Sequence, residues 1–342
     1  MHFGLMLTFQ NPARWSQPDA ELYQEYLRQI VRAEELGYDH VWVAEHHFDT
    51  DGWTPSVLPL LAGIATRTQR IRIGTSILIL PLHNALRVAE DAATVDILSN
   101  GRLDLGVGKG YRINEFAGFG IPREKREVLL EEGLEIIRRA WTEESFSFDG
   151  TFYHLKDVRL SPRPVQRPHP PLWVGARGKK AAHRAARLGF HLMGTGEAEQ
   201  QRMYDGALVS YGRDPREFSI WQIQWAHLAP TRDQAWDDAE EHLHHMLTGA
   251  LPLLKAAGDL RSDQSIRLPP NPKDLRTIDS TLAGTPIVGT PEDCIRALEQ
   301  YQQTTRITHL GLVMHLPGLA PAKVLRSMEL FAREVMPHFQ GK

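Results

Sequence analysis

One cysteine, Cys294, in 342 residues rules out an internal disulfide and fits a reducing compartment. No apolar run reaches transmembrane length. The opening Met1-His2-Phe3-Gly4-Leu5 enters a strand pattern with no charged leader, so neither a membrane span nor a targeting segment is expected. Neither sign of charge dominates: 39 Lys and Arg against 42 Asp and Glu leave −3, too little positive field for nucleic acid. No His-Glu-x-x-His occurs, His46-His47 is not a His-x-His pair, and no Ser or Cys sits in an elbow motif. Metal is therefore not expected, and nucleophilic hydrolysis lacks its marks. Short-period repeats and low-complexity tracts are also missing. These absences describe a soluble cytoplasmic protein.

What is present begins with ordinary globular values, 42% hydrophobic and 24% charged, and enough chain for a full core. The pattern centres on Val41-Trp42-Val43-Ala44, an apolar run of strand length that ends in Glu45, His46 and His47. Three titratable groups at the end of a buried strand are costly unless hydrogen-bonded or used. Around this run, strand and helix patterns alternate. Strands are expected over 3–9, 41–46, 71–80, 103–107, 172–175, 191–194, 218–228 and 309–316, with helices between them. Two stretches interrupt the alternation. Residues 143–170 hold a hairpin signal around Asp149-Gly150 and a proline-rich linker, and 249–286 is a long irregular insertion of the kind that forms a lid or binding loop. Eight strand–helix units point to a single α/β domain over 1–342, a TIM barrel first and a doubly wound open sheet second.

Barrel active sites lie at the carboxyl ends of the strands. The residues there are Gln10-Asn11, Glu45-His46-His47, Thr75-Ser76, Lys109-Gly110-Tyr111-Arg112, Ala176-Arg177-Gly178, Thr195-Gly196-Glu197, His227 and His315. Gly106 to Arg112 is a glycine-rich strand exit; with no helix pattern directly after it, it does not fit a dinucleotide fingerprint. Gly175-Ala176-Arg177-Gly178 opens a helix. Its backbone N–H groups, with Lys109 and Arg126, would make a phosphate pocket, or else a solvated basic helix start. Trp53, Tyr111, Phe116, Phe119, Trp221 and Trp225 supply aromatic walls for a planar ligand, or core. His242, His244 and His245 read as a solvated helix face.

Taken together, these residues resemble the bacterial luciferase-like, flavin-dependent monooxygenase family. The resemblance rests on Glu45-His46-His47-Phe48, Gly74-Thr75-Ser76-Ile77, Arg87-Val88-Ala89-Glu90-Asp91, Ser99-Asn100-Gly101-Arg102-Leu103, Gly106-Val107-Gly108-Lys109-Gly110 and Glu115-Phe116-Ala117-Gly118-Phe119-Gly120, in that order. It implies a barrel, usually a homodimer, that binds reduced FMN supplied by a separate NAD(P)H:flavin reductase. With O₂ it forms a C4a-peroxyflavin and oxidises a small organic substrate. By position His46 matches the catalytic histidine; the expected holder of its ring is Glu45 or a neighbouring backbone group. Thr75, Ser76 and Ile77 match the site under the flavin ring, where the family often has a strained non-proline peptide. Lys109 and Arg126 stand where the family carries phosphate-binding arginines, Gly175 to Gly178 occupies its fifth-strand phosphate loop with different residues, and Tyr111 beside Lys109 is a further candidate cofactor contact. Gly108 replaces the luciferases' reactive cysteine, so light emission is not implied. The helix with Arg87, Glu90 and Asp91 matches the dimer face. Related barrels use deazaflavin F420 for hydride transfer, and some only bind flavin; both stay open alternatives.

Overall fold

The computed structural model describes residues 1–176, 178–194, 197–256 (backbone only over 250–256), 269–277 and 286–340. Twelve strands lie in these residues: β1 (His2–Leu7), β2 (His40–Val43), β3 (Arg72–Thr75), β4 (Leu78–Ile79), β5 (Leu103–Gly108), β6 (Phe146–Asp149), β7 (His154–Val158), β8 (Leu172–Gly175), β9 (His191–Met193), β10 (Ile220–Leu228), β11 (Ile287–Gly289) and β12 (His309–Val313). The main helices are α1 (Asp19–Glu35), α2 (Val57–Ala65), α3 (Ala85–Leu98), α4 (Ile113–Gly118), α5 (Arg126–Thr142), α6 (Lys179–Leu188), α7 (Ala198–Ser210), α8 (Arg232–Ala256), α9 (Pro291–Thr304), α10 (Pro321–Leu330) and α11 (Met336–Gln340).

Parallel pairing runs β10-β12-β1-β2-β3-β5-β8-β9, and β9 pairs back to β10. The ring closes, so the fold is a TIM barrel and not an open sheet. Local chemistry sets the helices around it. α1 buries Leu22, Tyr26, Ile30 and Ala33 on one face and ends at Gly37, whose φ of 86° suits a residue without Cβ. Asn84 caps α3 by accepting the N–H groups of Leu86 and Arg87, and Thr290 with Asp293 forms a capping box on α9. β6 and β7 pair antiparallel as a hairpin outside the barrel.

The barrel interior is solid. Trp42 packs edge-on against Trp173 at 5.5 Å and Trp221 at 6.0 Å. Glycines opposite make the room: a Cβ on Gly74 would lie 2.3 Å from the Trp42 ring, and one on Gly311 2.5 Å from that of Trp221. Trp221 is thus core, not pocket wall.

Four local readings need correction. The strand expected over 71–80 breaks at a cis Ser76–Ile77 peptide into β3 and β4, then turns through Leu80–Leu82. A short helix, α4, does start just after the glycine-rich exit; six residues carry too little periodicity to reveal it. The helix expected between the strands over 103–107 and 172–175 begins as a 3-10 turn over Arg123–Lys125 before α5. α8 runs on to Ala256, into the stretch read as irregular; the notable remainder, 257–268 and 278–285, lies outside the described residues.

Candidate active site

β2 ends at Val43, and the chain is then held by neighbouring rims: Ala44 N–H donates to Leu7 O (3.0 Å) and His46 N–H to Thr54 O (3.2 Å). That tether leaves the His46 side chain 12% exposed at the carboxyl end of the barrel. Its Nδ1 lies 2.8 Å from Oε1 of Glu115, a fully buried carboxylate on α4 that also accepts the His47 backbone N–H at 3.1 Å. A carboxylate oxygen only accepts, so neutral His46 carries its hydrogen on Nδ1 and presents an Nε2 lone pair. Tyr111 Oη stands 3.4 Å from that Nε2. Trp53 meets the imidazole edge-on at 4.7 Å, and the Arg112 guanidinium, ion-paired with Asp49, lies over the Trp53 ring. Burial pushes the His46 pKa below 6.5, Glu115 pulls it back up, and Arg112 adds to the depression. The result is a weakened base in an aromatic box, with Nδ1 held by Glu115 and Nε2 turned to the Tyr111 hydroxyl.

Glu45 does not hold His46. Its Oε1 takes hydrogen bonds from Nε2 of His47 and of His83, each at 2.7 Å, and its Oε2 takes the Ile79 N–H at 2.7 Å. Burial works against its charge, yet these donors hold the carboxyl down to about 2. Glu45 therefore ties the end of β2 to the segment after β3, and Glu115 takes the orienting place. This exchange was not legible along the chain, because Glu115 is 69 residues from His46 and lies on a helix too short to read. Glu45, His47 and His83 also bring three metal-capable atoms within 4.8 Å of one another, through a histidine 38 residues away from Glu45.

The remaining residues lie in three places. Thr75 is buried, and its hydroxyl is used inside the sheet, donating to Gly106 O (2.6 Å) and accepting Gly106 N–H (3.0 Å). Ser76 and Ile77 reach the rim half-buried. Gly108 and Gly175 border Ile77: a Cβ on Gly108 would lie 2.4 Å from its Cδ1, and one on Gly175 3.2 Å from its Cγ2. The two glycines leave a floor of bare backbone there. Beyond it, Lys109 pairs with Glu127 at 3.0 Å, and Glu127 reaches Arg184 of α6 at 3.5 Å. Arg126 begins α5 beside Glu127 and donates to Arg123 O. Gly178, with φ of 76°, precedes α6; Ala176 is buried, its carbonyl taken by Gln200; Arg177, Thr195 and Gly196 lie outside the described residues. A bare-backbone floor flanked by Lys109, Arg126 and Arg184 suits a planar ring with an anionic tail. Arg184, deep in a helix, carried no sign in the sequence.

Other strand-end residues serve the packing. His315 stacks on Tyr26 at 3.8 Å and bonds Gln29, and His227 faces Asp238 on α8. Asn11 donates to Gln17 O and Asp19. Trp225 stays half-buried on β10, while Phe116 is buried and Phe119 exposed. Glu197 precedes α7 as its cap residue.

A family model for luciferase-like monooxygenases matches residues 1–306. The chain belongs to that family. Among relatives of this luciferase-like chain is the F420-dependent glucose-6-phosphate dehydrogenase of Amycolatopsis mediterranei, 29% identical over 93% of this chain and 95% of that one. The oxygenase component of the flavin-dependent trigonelline monooxygenase of Acinetobacter baylyi is 27% identical over 70% of this chain and 69% of that one. The crystal structure of monooxygenase RslO1 from Streptomyces bottropensis superposes with a TM-score of 0.82 and 27% identity, covering 99% of this chain and 100% of that one. Several curated relatives match over only about half of their own length. Membership agrees with the closed barrel of the luciferase-like fold. No described helix is long and apolar enough to cross a membrane.

Proposed function

We propose that the chain is a monooxygenase that takes reduced FMN from a separate reductase and, with O₂, oxidises a small organic substrate. The observation that carries this reading is His46, boxed by Trp53 and Tyr111 at the strand-end rim, with Nδ1 committed to Glu115 and Nε2 facing the Tyr111 hydroxyl at 3.4 Å. Reduced flavin, when bound, supplies the electrons and the site of reaction with oxygen. The chain's own residues do the rest. The Gly108–Gly175 floor and Ile77 would seat a planar ring, and Lys109, Arg126 and Arg184 would hold its phosphate, Lys109 and Arg184 giving up part of their pairing with Glu127. Trp53, Tyr111 and the buried Arg112 exclude water from around His46. The His46 Nε2 takes a proton from the reacting group or from Tyr111, and Glu115 steadies the imidazolium that results. Two copies pair through the α3 face carrying Arg87, Glu90 and Asp91, each a single barrel domain.

The F420 reading is supported by the dehydrogenase relative, which aligns over nearly the whole chain. One experiment separates the two. The protein is given reduced FMN with a flavin reductase and NADH, across aldehydes, ketones, alkanes and sulfonates, while oxygen uptake and product are measured. A parallel arm follows F420 reduction with alcohols and sugar phosphates. Substrate-dependent oxygen uptake supports the monooxygenase; F420 reduction without oxygen uptake replaces it. Flavin binding with neither leaves a flavin carrier.

A further inference from the structure

At the end of the barrel opposite His46, the amino ends of β12, β1 and β2 frame a cavity of about 500 Å³ whose lining includes His2, His40, His309, Asp39, Arg72 and Trp173. His309 is the register partner of His2 on the neighbouring strand, and His40 begins the next strand over. The three imidazole rings crowd together: centres lie 4.8 Å apart for His2 and His309, 4.7 Å for His40 and His309, and 5.7 Å for His2 and His40.

The state of each ring nitrogen follows from its partners. The Thr308 hydroxyl accepts Ile220 N–H (2.8 Å) and donates to Ile220 O (3.0 Å), so toward His309 Nδ1 at 2.7 Å it can only accept. His309 Nδ1 therefore carries the hydrogen and Nε2 offers a lone pair. His2 Nδ1 lies 3.4 Å from the Asp39 carboxylate, which likewise leaves Nε2 open. His40 is 5% exposed, and neither of its ring nitrogens has a hydrogen-bond partner, a costly state for a buried polar group. His191 in the same lining is different. It accepts Ser219 N–H on Nδ1 and so has no second lone pair to give.

Charge selects the sign of the ligand. Arg72 is cancelled by Asp104 at 2.7 Å, and Glu34 caps the backbone N–H groups of Gln69, Arg70 and Ile71 beside Arg70. Asp39 is left facing the imidazoles, its carboxylate 3.4 Å from His2 Nδ1. Neutral imidazoles backed by a carboxylate and a hydroxyl suit a borderline divalent cation and repel an anion.

We propose that this mouth binds one divalent transition-metal ion of the zinc class through His2, His40 and His309. Metal–nitrogen bonds of about 2.0–2.1 Å require three ring nitrogens to converge on one point; these rings are neighbours, but their nitrogens are not gathered within 4.8 Å of one another as the ligand atoms of Glu45, His47 and His83 are. His2, whose side chain is 57% exposed, turns to complete the set. The ion would cross-link the first, second and last barrel strands where the ring closes, a role separate from the flavin chemistry. The Glu45–His47–His83 group is the weaker candidate, since both Nε2–H groups and both carboxylate oxygens are already committed there.

The test is cobalt titration of the chelator-treated full chain, followed by visible absorption and thermal unfolding. One equivalent of Co²⁺ should give tetrahedral ligand-field bands, and the unfolding midpoint should rise with Co²⁺ or Zn²⁺ concentration. His2→Ala, an exposed change that leaves the fold intact, and His309→Gln should each abolish the bands. Thr308→Val, which removes the partner of His309 Nδ1, should weaken binding by roughly 10- to 100-fold. Absence of bands overturns the proposal. So does their survival in both histidine variants, or their loss in His83→Ala or His245→Ala instead.

Discussion

In the proposed reaction His46 acts through two contacts of opposite effect. Burial makes the imidazole a weak base, and Glu115 restores part of its basicity while fixing which nitrogen is free. His46→Ala should lower turnover on the order of 10²- to 10⁴-fold while flavin binding, followed by fluorescence quenching, stays nearly unchanged. The proposed proton transfer uses the neutral form, so turnover should fall on the acid side with an apparent pKa below 6.5. Glu115→Gln removes the group that raises that pKa, so the acid limb should move to still lower pH as the rate drops. A pH–rate profile with an unmoved limb would remove Glu115 from its orienting place.

At the scale of the element, Arg102 shows what one family motif is for. Its guanidinium donates to the carbonyls of Ser99, Ile71, Ala65 and Thr68 and to the Thr68 hydroxyl, tying the ends of α2 and α3 to the start of β3. A planar fork reaches these acceptors together; an ammonium cannot. Arg102→Lys should therefore cost on the order of 3 kcal/mol of stability, read from denaturant midpoints, because buried carbonyls lose their donors. Asn84→Ala, which removes the cap of α3, should cost about 1 kcal/mol and lower Tm without touching turnover.

Across the whole molecule, the barrel stores neutral histidines that unfolding would expose. Burial holds His315, against Tyr26, Gln29 and Glu25, and His227, against Asp238, Lys323 and His242, down to about 4 each. Both pKa values are depressed, so the unfolded chain binds more protons once pH drops below about 6.5. Stability is full above that pH and falls toward pH 4 by roughly 1.4 kcal/mol per pH unit for each histidine. Urea midpoints measured between pH 7 and pH 4.5 should show this decline, and His315→Gln should flatten it.

The barrel and the place of His46 were legible from sequence because they rest on local signals: strand-length apolar runs, helix stops such as Gly37, caps such as Thr290, and charged residues ending a buried run. Pairing partners were not legible. Whether Glu45 or Glu115 holds His46, where the run over 71–80 breaks, and which cations flank Glu127 depend on contacts made across dozens of residues by closing the ring. Periodicity along the chain says which way a side chain faces; only closure says what it meets there.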